Sequence, residues 1–216
     1  MIWLCSRPVH ADDMRRNLDR WEKALPFDRL QKIRSYRMLS DKWLCAAAYR
    51  LLQHGLSSEY GIMGAHVQLD YASSGKPFLK GIPGIHFNIS HCDIGAVCAL
   101  SNQEIGVDIE GFSFPTHQVL RRVLNDDEYK SVLSALYPDK AFTRLWTLKE
   151  SWLKATGFGL SYGAKQLHTS LLPTSPYLSH NGFTAQIAWE SEKGCISQCS
   201  KEGKLLPLRR LSSDLL

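Results

Sequence analysis

Hydrophobic and polar residues alternate in one short segment near the middle of the chain. Ile105, Val107 and Ile109 alternate there with the acids Asp108 and Glu110. Successive side chains of a strand lie on opposite faces, so the two carboxylates are expected on one face, roughly 6–7 Å apart. The pattern predicts a strand that buries its apolar face and presents a pair of acids.

A helical period follows further along the chain, over residues 140–156. Trp146, Glu150 and Lys154 recur at i, i+4 and i+8, so they form one stripe on one face of the helix. Gly157 is expected to end the helix, because glycine readily adopts the left-handed conformation found just after a helix. The pattern thus predicts a third acid with a lysine one turn beyond it.

The same periodicities, with glycine and proline marking the breaks, predict the remaining elements. In the first half we expect a long helix that Ser40 caps and Gly55 stops, and in the second half a helix that Asn125 caps. Residues after 200 are expected to form a loose basic tail. The other predicted helices are 11–24, 27–37, 57–64, 116–124 and 126–136, and the predicted strands are 2–5, 67–71, 77–79, 86–89, 94–100, 166–172, 183–190 and 194–200.

Each half of the chain therefore combines helices with a small, mostly antiparallel sheet, which is an α+β architecture. We find neither an internal sequence repeat nor a low-complexity linker. We place the boundary just ahead of the acid-bearing strand. The N-terminal half, 1–104, then holds the basic helices, and the C-terminal half, 105–216, holds the acid-bearing strand and helix. A site at this boundary would lie between the halves, where ligand clefts are common.

Composition is that of an ordinary globular protein. The chain has 216 residues, of which 44% are apolar and 22% charged. It lacks a run of roughly 18 apolar residues and the features of a signal peptide, so we expect a cytoplasmic protein without a membrane partner. The six cysteines have neither a CxxC pair nor the spacing of a zinc site, and are expected to be reduced thiols.

The net charge of +5 is concentrated in the first half. A solvated helix face explains such a cluster, but so do nucleic acid, anionic lipid, a phosphorylated cofactor or an acidic protein. No motif that reads nucleic acid accompanies it, so we favour the cofactor and the acidic protein. The clustered residues are Arg15, Arg16, Arg20, Lys23, Arg29, Lys32, Arg34, Arg37 and Lys42.

The three acids and the lysine indicate phosphate chemistry. Asp108, Glu110 and Glu150 would repel one another unless a cation or a proton held them, and hard oxygen ligands suit Mg²⁺. Lys154 is then placed to meet phosphate oxygens. This is the chemistry of a metal-bridged pyrophosphate, although metal-dependent phosphoesterases and nucleases also carry a D-x-E strand and remain an alternative at this point.

Four short blocks occur in a recognisable order. They are Gly75-Lys76-Pro77, Phe87-Asn88-Ile89-Ser90-His91, Gly106-Val107-Asp108-Ile109-Glu110 and Trp146-x-x-Lys149-Glu150-Ser151-x-x-Lys154. With these blocks the chain resembles the Sfp-type 4′-phosphopantetheinyl transferases over nearly its whole length. It departs from their pattern at Cys92 and Thr147, where other small residues are commoner, and neither change puts the activity in serious doubt.

The resemblance implies a pseudo-twofold pair of similar α/β halves with coenzyme A bound between them. It also implies transfer of 4′-phosphopantetheine from coenzyme A to a serine of an acyl or peptidyl carrier protein, releasing adenosine 3′,5′-bisphosphate. Asp108, Glu110 and Glu150 correspond to the Mg²⁺ ligands of the family. The implied coenzyme A contacts are Lys76, Ser90 and His91 together with Arg29 and Lys32, whose register is open by one residue.

Two residues are assigned to the chemistry itself. Lys154 is expected to stabilise the leaving bisphosphate and to contact coenzyme A. The attacking serine needs a base, and Glu150, or a metal-bound water deprotonated by it, is the candidate. Glu128, in an acidic helix start, is given a structural role first. A degenerate relative that only binds carrier or coenzyme A is the alternative, although every expected motif residue is present.

The expected partner is an acidic carrier protein. Because one chain supplies both halves of the site, we expect the protein to act as a monomer. Residues 112–124 combine apolar and basic side chains and are proposed for docking. The alternative is a helix that packs Leu120 and Val123 into the core and leaves Arg121 and Arg122 solvated. The pathway stays open between fatty acid biosynthesis and the polyketide or nonribosomal peptide routes of secondary metabolism.

Overall fold

A computed structural model describes residues 1–63, 67–159, 162–170 and 176–216. These residues form an α+β fold, as the sequence predicts. In chain order the helices and strands are β1 (Ile2–Ser6), α1 (Ala11–Trp21), α2 (Phe27–Ser35), α3 (Leu39–Tyr60), β2 (Leu69–Tyr71), β3 (Pro77–Leu79), β4 (His86–Cys92), β5 (Gly95–Ser101), β6 (Ile105–Gly111), α4 (His117–Val123), α5 (Asp126–Ser134), α6 (Pro138–Thr156), β7 (Tyr177–His180), β8 (Phe183–Glu190), β9 (Gly194–Ser200) and β10 (Leu208–Arg210).

Two four-stranded sheets carry the fold, with the orders β10-β1-β5-β4 and β6-β9-β8-β7, and β2 and β3 form a separate hairpin. In each four-stranded sheet the first strand of a half pairs antiparallel with the last strand, which pairs with the strand before it. This shared connectivity is what two similar halves require. The pseudo-twofold relation itself stays a prediction.

Apolar side chains between the two sheets hold them together. Ile105, Val107 and Ile109 of β6 are buried, as their alternation predicts, in a layer that includes Ile2 and Leu4 of β1. The opposite face of each sheet packs on a long helix, α3 in the first half and α6 in the second. The acids of β6 are thereby turned toward α6.

Helix α3 differs from the prediction at both ends. Met38 is its N-cap and makes no side-chain cap hydrogen bond, so Ser40 lies inside the first turn. The helix passes through Gly55 and ends before Gly61, which has φ of 67°. Glycine at 55 serves close packing, because a Cβ atom there would lie 2.4 Å from Leu100 Cδ1. The predicted separate helix 57–64 is therefore wrong, because residues 57–60 belong to α3 and residues 61–63 are not helical; residue 64 lies outside the described residues.

Helix termini in the second half follow the sequence more closely. Asn125 caps α5, accepting from the backbone N–H groups of Asp127 and Glu128, and Glu128 completes the capping box. Helix α6 begins at Pro138 and ends before Gly157, which has φ of 75°. The predicted strand 166–172 is reduced to one bridge, at Thr169, and positions 171 and 172 lie outside the described residues.

The tail is ordered, contrary to the expectation of a loose segment. Strand β10 pairs parallel with β1, with Ile2 opposite Leu208. Leu216 is buried in the core around α3, and its carbonyl oxygen accepts a hydrogen bond from Arg50 Nε at 2.9 Å. The sheet of the first half is thus completed from beyond residue 200. The division at 104/105 stays a prediction.

Among the described residues, no helix has both the length and the apolar character needed to span a membrane.

Candidate active site

The two sheets approach each other where β4, at the edge of one, lies beside β6, at the edge of the other. The Asn88 side chain bridges them, since its Oδ1 accepts a hydrogen bond from the Val107 backbone N–H at 2.9 Å. The acid-bearing strand therefore lies against the strand that carries the Asn-Ile-Ser-His block.

Three groups from three elements meet at this junction. Ser90 Oγ donates to Asp108 Oδ1 at 2.8 Å. Lys154 Nζ donates to the same carboxylate oxygen at 2.5 Å and to Ser90 Oγ at 2.9 Å. Asp108 is only 2% exposed. A buried carboxylate is thus held by one residue of the first half and one of α6.

The other two predicted acids lie on the adjoining side. Trp146 Nε1 donates to Glu110 Oε1 at 3.2 Å, so the first member of the helical stripe supports this carboxylate. Glu150 Oε1 and Asp108 Oδ2 are buried and have no hydrogen-bond partner. Two anionic oxygens are therefore left without a donor beside an existing cation.

Burial and mutual repulsion set the charge states of the cluster. Burial, followed by the charge of Asp108, raises the pKa of Glu110 to about 7. Burial also raises the pKa of Glu150, although Lys154 opposes the change. Burial alone would lower the pKa of Lys154, but attraction and hydrogen bonding from Asp108, with smaller contributions from the glutamates, raise it. The lysine therefore remains a cation among three acids.

The three carboxylates are chemically suited to bind Mg²⁺, which prefers oxygen ligands. In the described part of the chain, no group of three His, Cys, Asp or Glu side chains is arranged to hold a metal ion as it stands. In this arrangement the ammonium group of Lys154 forms an ion pair with Asp108 and compensates its negative charge. Three carboxylates, two of them with an unpartnered buried oxygen, are nevertheless the hard ligands that Mg²⁺ prefers. Asp108, Glu110 and Glu150 are the residues that would hold it.

A positive region adjoins the acids on the side of the first half. Partial burial lowers the pKa of His91, and the charges of Lys154 and Lys32 lower it further, against Asp41. Lys32 itself is exposed on α2. His91 is thus within electrostatic range of a lysine on α6 and a lysine on α2, and cations so placed suit phosphate groups.

Arg29 lies on the same helix as Lys32, three residues before it. Its guanidinium donates to the hydroxyl group of Tyr71, lies 5.3 Å from the ring centre of Tyr49 and is 3.5 Å from Asp28 Oδ2. The residue is 7% exposed. These contacts connect α2 with α3 and the β2–β3 hairpin, so Arg29 has a structural role in the first half whatever it does for a ligand.

Lys76 is brought to the opposite end of the junction. Its ammonium group donates to Glu104 Oε2 and to the carbonyl oxygen of Ala155, both at 2.6 Å. Lys76, Glu104 and Ala155 all line a cleft of about 880 Å³, which lies between the hairpin, the start of β4 and the end of α6. Of the predicted coenzyme A contacts, Ser90 and Lys154 are thus bonded to an acid of the site, and Lys76 lines the cleft.

Three of these contacts were not predicted from the sequence. Asn88 stands two positions before Ser90, so the alternation of a strand was a signal that both face β6. Glu104 lies just before the acid-bearing strand, and no local pattern marks its pairing with Lys76. Trp146 belonged to the recognised stripe, but its bond to Glu110 was not foreseen.

A second acid–base pair is fully buried beneath α6. Lys149 Nζ donates to Glu128 Oε2 at 2.5 Å and to the Val123 carbonyl oxygen at 3.0 Å. Glu128 Oε1 accepts from the N–H and hydroxyl groups of Thr169. Burial lowers the pKa of Lys149, against the attraction of Glu128. The pair joins α4, α5 and α6, in agreement with a structural role for Glu128.

The predicted docking segment divides between core and surface. Leu120 and Val123 are buried, as the alternative reading expected. Phe114 and Val119 are exposed, and so are Arg121 and Arg122. Arg121 lies over the ring of Tyr129 at 4.4 Å from its centre. An apolar and basic surface thus remains available on α4 and the loop before it.

Comparison with known proteins agrees with the motifs. Residues 104–202 match the model of the 4′-phosphopantetheinyl transferase superfamily. A 4′-phosphopantetheinyl transferase of Bacillus subtilis is 33% identical over 158 residues, which cover 72% of this chain and 68% of that protein. The transferase psf-1 of Bacillus pumilus is 28% identical over 89% of this chain and 80% of its own length. The transferase HetI of a Nostoc species is 35% identical over 58% of this chain and 56% of its own length.

Proposed function

The chain belongs to the 4′-phosphopantetheinyl transferase superfamily, and we propose that it moves 4′-phosphopantetheine from coenzyme A to a serine of an acyl or peptidyl carrier protein with the help of Mg²⁺. The observation that carries this proposal is the meeting of Asp108, Ser90 and Lys154, beside Glu110 and Glu150. Acids for a metal and cations for phosphates adjoin there, which is what a pyrophosphate substrate requires.

Asp108, Glu110 and Glu150 are the proposed ligands of Mg²⁺. Their two unpartnered oxygens support the assignment, because buried anionic oxygens are costly unless a cation or a donor satisfies them. When bound, Mg²⁺ would neutralise charge on the pyrophosphate as a Lewis acid.

The phosphates of coenzyme A are assigned to the positive region. Ser90 and Lys154 already share hydrogen bonds at the junction, and His91 and Lys32 adjoin them. Arg29, which is buried against two tyrosines, is proposed to support this region from behind. A direct contact of Lys76 with coenzyme A stays a prediction, and its ammonium group is bound to other partners.

The reaction is a phosphoryl transfer to a hydroxyl group. The serine oxygen of the carrier forms a bond to the phosphorus that bears the pantetheine arm, and the bond from that phosphorus to the bridging oxygen breaks. Glu150 is the proposed acceptor of the serine proton. Lys154 is placed to neutralise the charge that the leaving adenosine 3′,5′-bisphosphate gains.

Carrier docking is assigned to the surface of residues 112–124. Phe112 lies two residues after Glu110, and the Lys140 ammonium group lies 5.1 Å from its ring centre. Arg121 and Arg122 add positive charge for an acidic partner. Because one chain supplies every residue of the site, the proposal needs only a monomer. It keeps the expected cytoplasmic location.

Mass spectrometry of an apo carrier protein incubated with coenzyme A and Mg²⁺ tests the proposal. The expected result is a gain of one phosphopantetheine group, absent when the carrier serine is replaced by alanine. An unchanged carrier that still binds the protein would indicate a binding module. Hydrolysis of coenzyme A without transfer would indicate a phosphoesterase. Either outcome overturns the proposal.

A further inference from the structure

A small cluster of charged groups lies at the far end of the elements that carry the acids. Lys76 lies at the end of the hairpin turn and bonds Glu104 Oε2 and the Ala155 carbonyl oxygen. His86 Nδ1 lies 3.4 Å from the other oxygen of Glu104. The Lys76 side chain is 18% exposed, so little water competes for its contacts.

This cluster joins the elements on which the site is built. Glu104 directly precedes β6, and His86 is the first residue of β4. Ala155 follows Lys154 in the last turn of α6. These three elements carry the acids, the serine and the lysine of the site, and Lys76 adds the hairpin as a fourth partner.

The backbone packs very closely beside the cluster. A Cβ atom on Gly106 would lie 2.0 Å from the Ser151 carbonyl oxygen, so β6 and α6 are in backbone contact. A Cβ atom on Gly157 would lie 3.1 Å from Ser74 Oγ and 3.6 Å from Lys76 Cδ. The hairpin turn therefore packs on the end of α6, next to the last turn, which carries Lys154.

The position of α6 also explains why a cation is favourable at Lys76, next to the C-terminal end of this helix. The last carbonyl groups of a helix have no partner within the helix and carry partial negative charge. Ala155 belongs to this turn, and Lys76 satisfies its oxygen. Glu104 then balances the lysine charge, so both partners are needed to hold the turn in place.

We infer that Lys76 and Glu104 form a clamp that fixes α6 against β4 and β6, and that they are positioning residues for the transfer reaction. The inference rests on the proposed function, because the contact of Lys154 with Asp108 affects transfer only if those groups take part in it. A direct contact of Lys76 with coenzyme A makes a different prediction, since it does not require Glu104.

A double-mutant cycle separates the two roles. The variants are Lys76→Met, which keeps the length of the side chain, Glu104→Gln and the double variant, with Lys80→Met as an exposed-lysine control. We expect each single variant to lower kcat about tenfold, because small misplacements of reacting groups are costly. We expect the double variant to be no worse than either single one, because each change opens the same clamp. The control should match the unmodified protein.

Two kinetic outcomes would overturn the clamp. One is a higher KM for coenzyme A in Lys76→Met with Glu104→Gln unaffected, which is the result of a direct contact. The other is a lower Tm in both variants with kcat and KM unchanged well below that temperature, which is the result of a merely structural role.

Amide hydrogen exchange provides a readout that does not depend on transfer. We expect faster exchange over residues 151–158 and 72–79 in both variants and not in Lys80→Met. Unchanged exchange overturns the clamp. If the unmodified protein does not transfer at all, the proposed function fails while exchange still decides whether the clamp exists.

Discussion

Lys154 of α6 lies 2.5 Å from Asp108 of β6, and this ion pair connects the two motifs that mark the family. Ser90, from the other half of the chain, bonds both partners. The carboxylate is 2% exposed, so its charge is compensated by these neighbours more than by water. The junction of the halves is therefore organised around Asp108.

Replacing Asp108 by alanine is expected to lower the rate of transfer at least about a hundredfold, because metal-assisted charge neutralisation contributes several kcal/mol to such reactions. Circular dichroism should show that the variant is folded. The unmodified protein should likewise lose activity in excess chelator and regain it with Mg²⁺. Glu192→Ala, which removes an exposed acid, is the control. Full activity of the Asp108 variant, or of the unmodified protein in chelator, contradicts the metal assignment.

Lys32 and Arg29 are expected to respond differently to replacement by alanine. Loss of Lys32 should raise the KM for coenzyme A by an amount equivalent to roughly 1.5–3 kcal/mol, the worth of a charge-assisted contact. Loss of Arg29 should mainly lower the free energy of unfolding, by about 1–3 kcal/mol, because its bond to Tyr71 and its packing on Tyr49 are buried. Steady-state kinetics and urea unfolding measure both. If Lys32→Ala leaves the coenzyme A dependence unchanged, Lys32 belongs to a solvated helix face.

His91 is expected to make coenzyme A binding depend on pH. Its pKa is lowered in the free protein by partial burial, Lys154 and Lys32, against Asp41. A bound phosphate favours the protonated ring, so the pKa rises in the complex and a proton is taken up. Affinity should therefore weaken as pH rises through the pKa of the complex. Phosphate ionisation acts in the opposite direction, so calorimetry must compare the protein with His91→Gln. Identical proton uptake in both contradicts the assignment.

The buried pair of Lys149 and Glu128 is expected to dominate the stability of the second half. Lys149→Met should lower the free energy of unfolding by about 3–5 kcal/mol, because it leaves a buried carboxylate without its cation. Glu128→Gln should also destabilise, since it weakens the bonds to Thr169 and the helix cap as well. Urea unfolding measures both, with the exposed Lys130→Met as control. A loss below about 1 kcal/mol for Lys149→Met would show that the pair contributes little.

Charge reversal at Arg121 and Arg122 tests carrier docking. The double variant should raise the KM for carrier and reduce its salt dependence, because encounter with an acidic partner is steered by charge. Coenzyme A affinity should be unchanged. The combined variant Lys80→Glu and Lys204→Glu, which reverses two exposed lysines outside residues 112–124, controls for net charge. Normal carrier kinetics in the double variant would leave these arginines as ordinary surface.

Local patterns predicted the elements that carry the acids, because their determinants lie within a few residues. The alternation of β6 required only Val107, Ile109 and the acids between them, and α6 required its apolar period and the glycine after it. The capping of α5 by Asn125 could also be predicted from nearby residues, since a helix cap depends on the adjacent turn.

The sequence is least informative where distant residues decide the outcome. Gly55 remains helical because Leu100 and Trp3 pack against it, and the local sequence contains neither. Lys76 was assigned to a ligand from its motif, and its partner Glu104 lies 28 residues further along the chain. Arg29 was assigned from its resemblance to the basic segment of the family, and its hydrogen-bond partner Tyr71 lies 42 residues further along the chain.

The parallel pairing of β1 with β10 determines when the first sheet can be completed. Residues 2–6 are synthesised long before their partner strand, residues 208–210. A nascent chain of about one hundred residues would therefore present β1 with one open edge, which is able to pair with other chains. Residues 1–104 produced alone would lack this strand, so fragment complementation requires that the tail be supplied with the second half. The same strand is also a natural element for exchange between two copies of the protein.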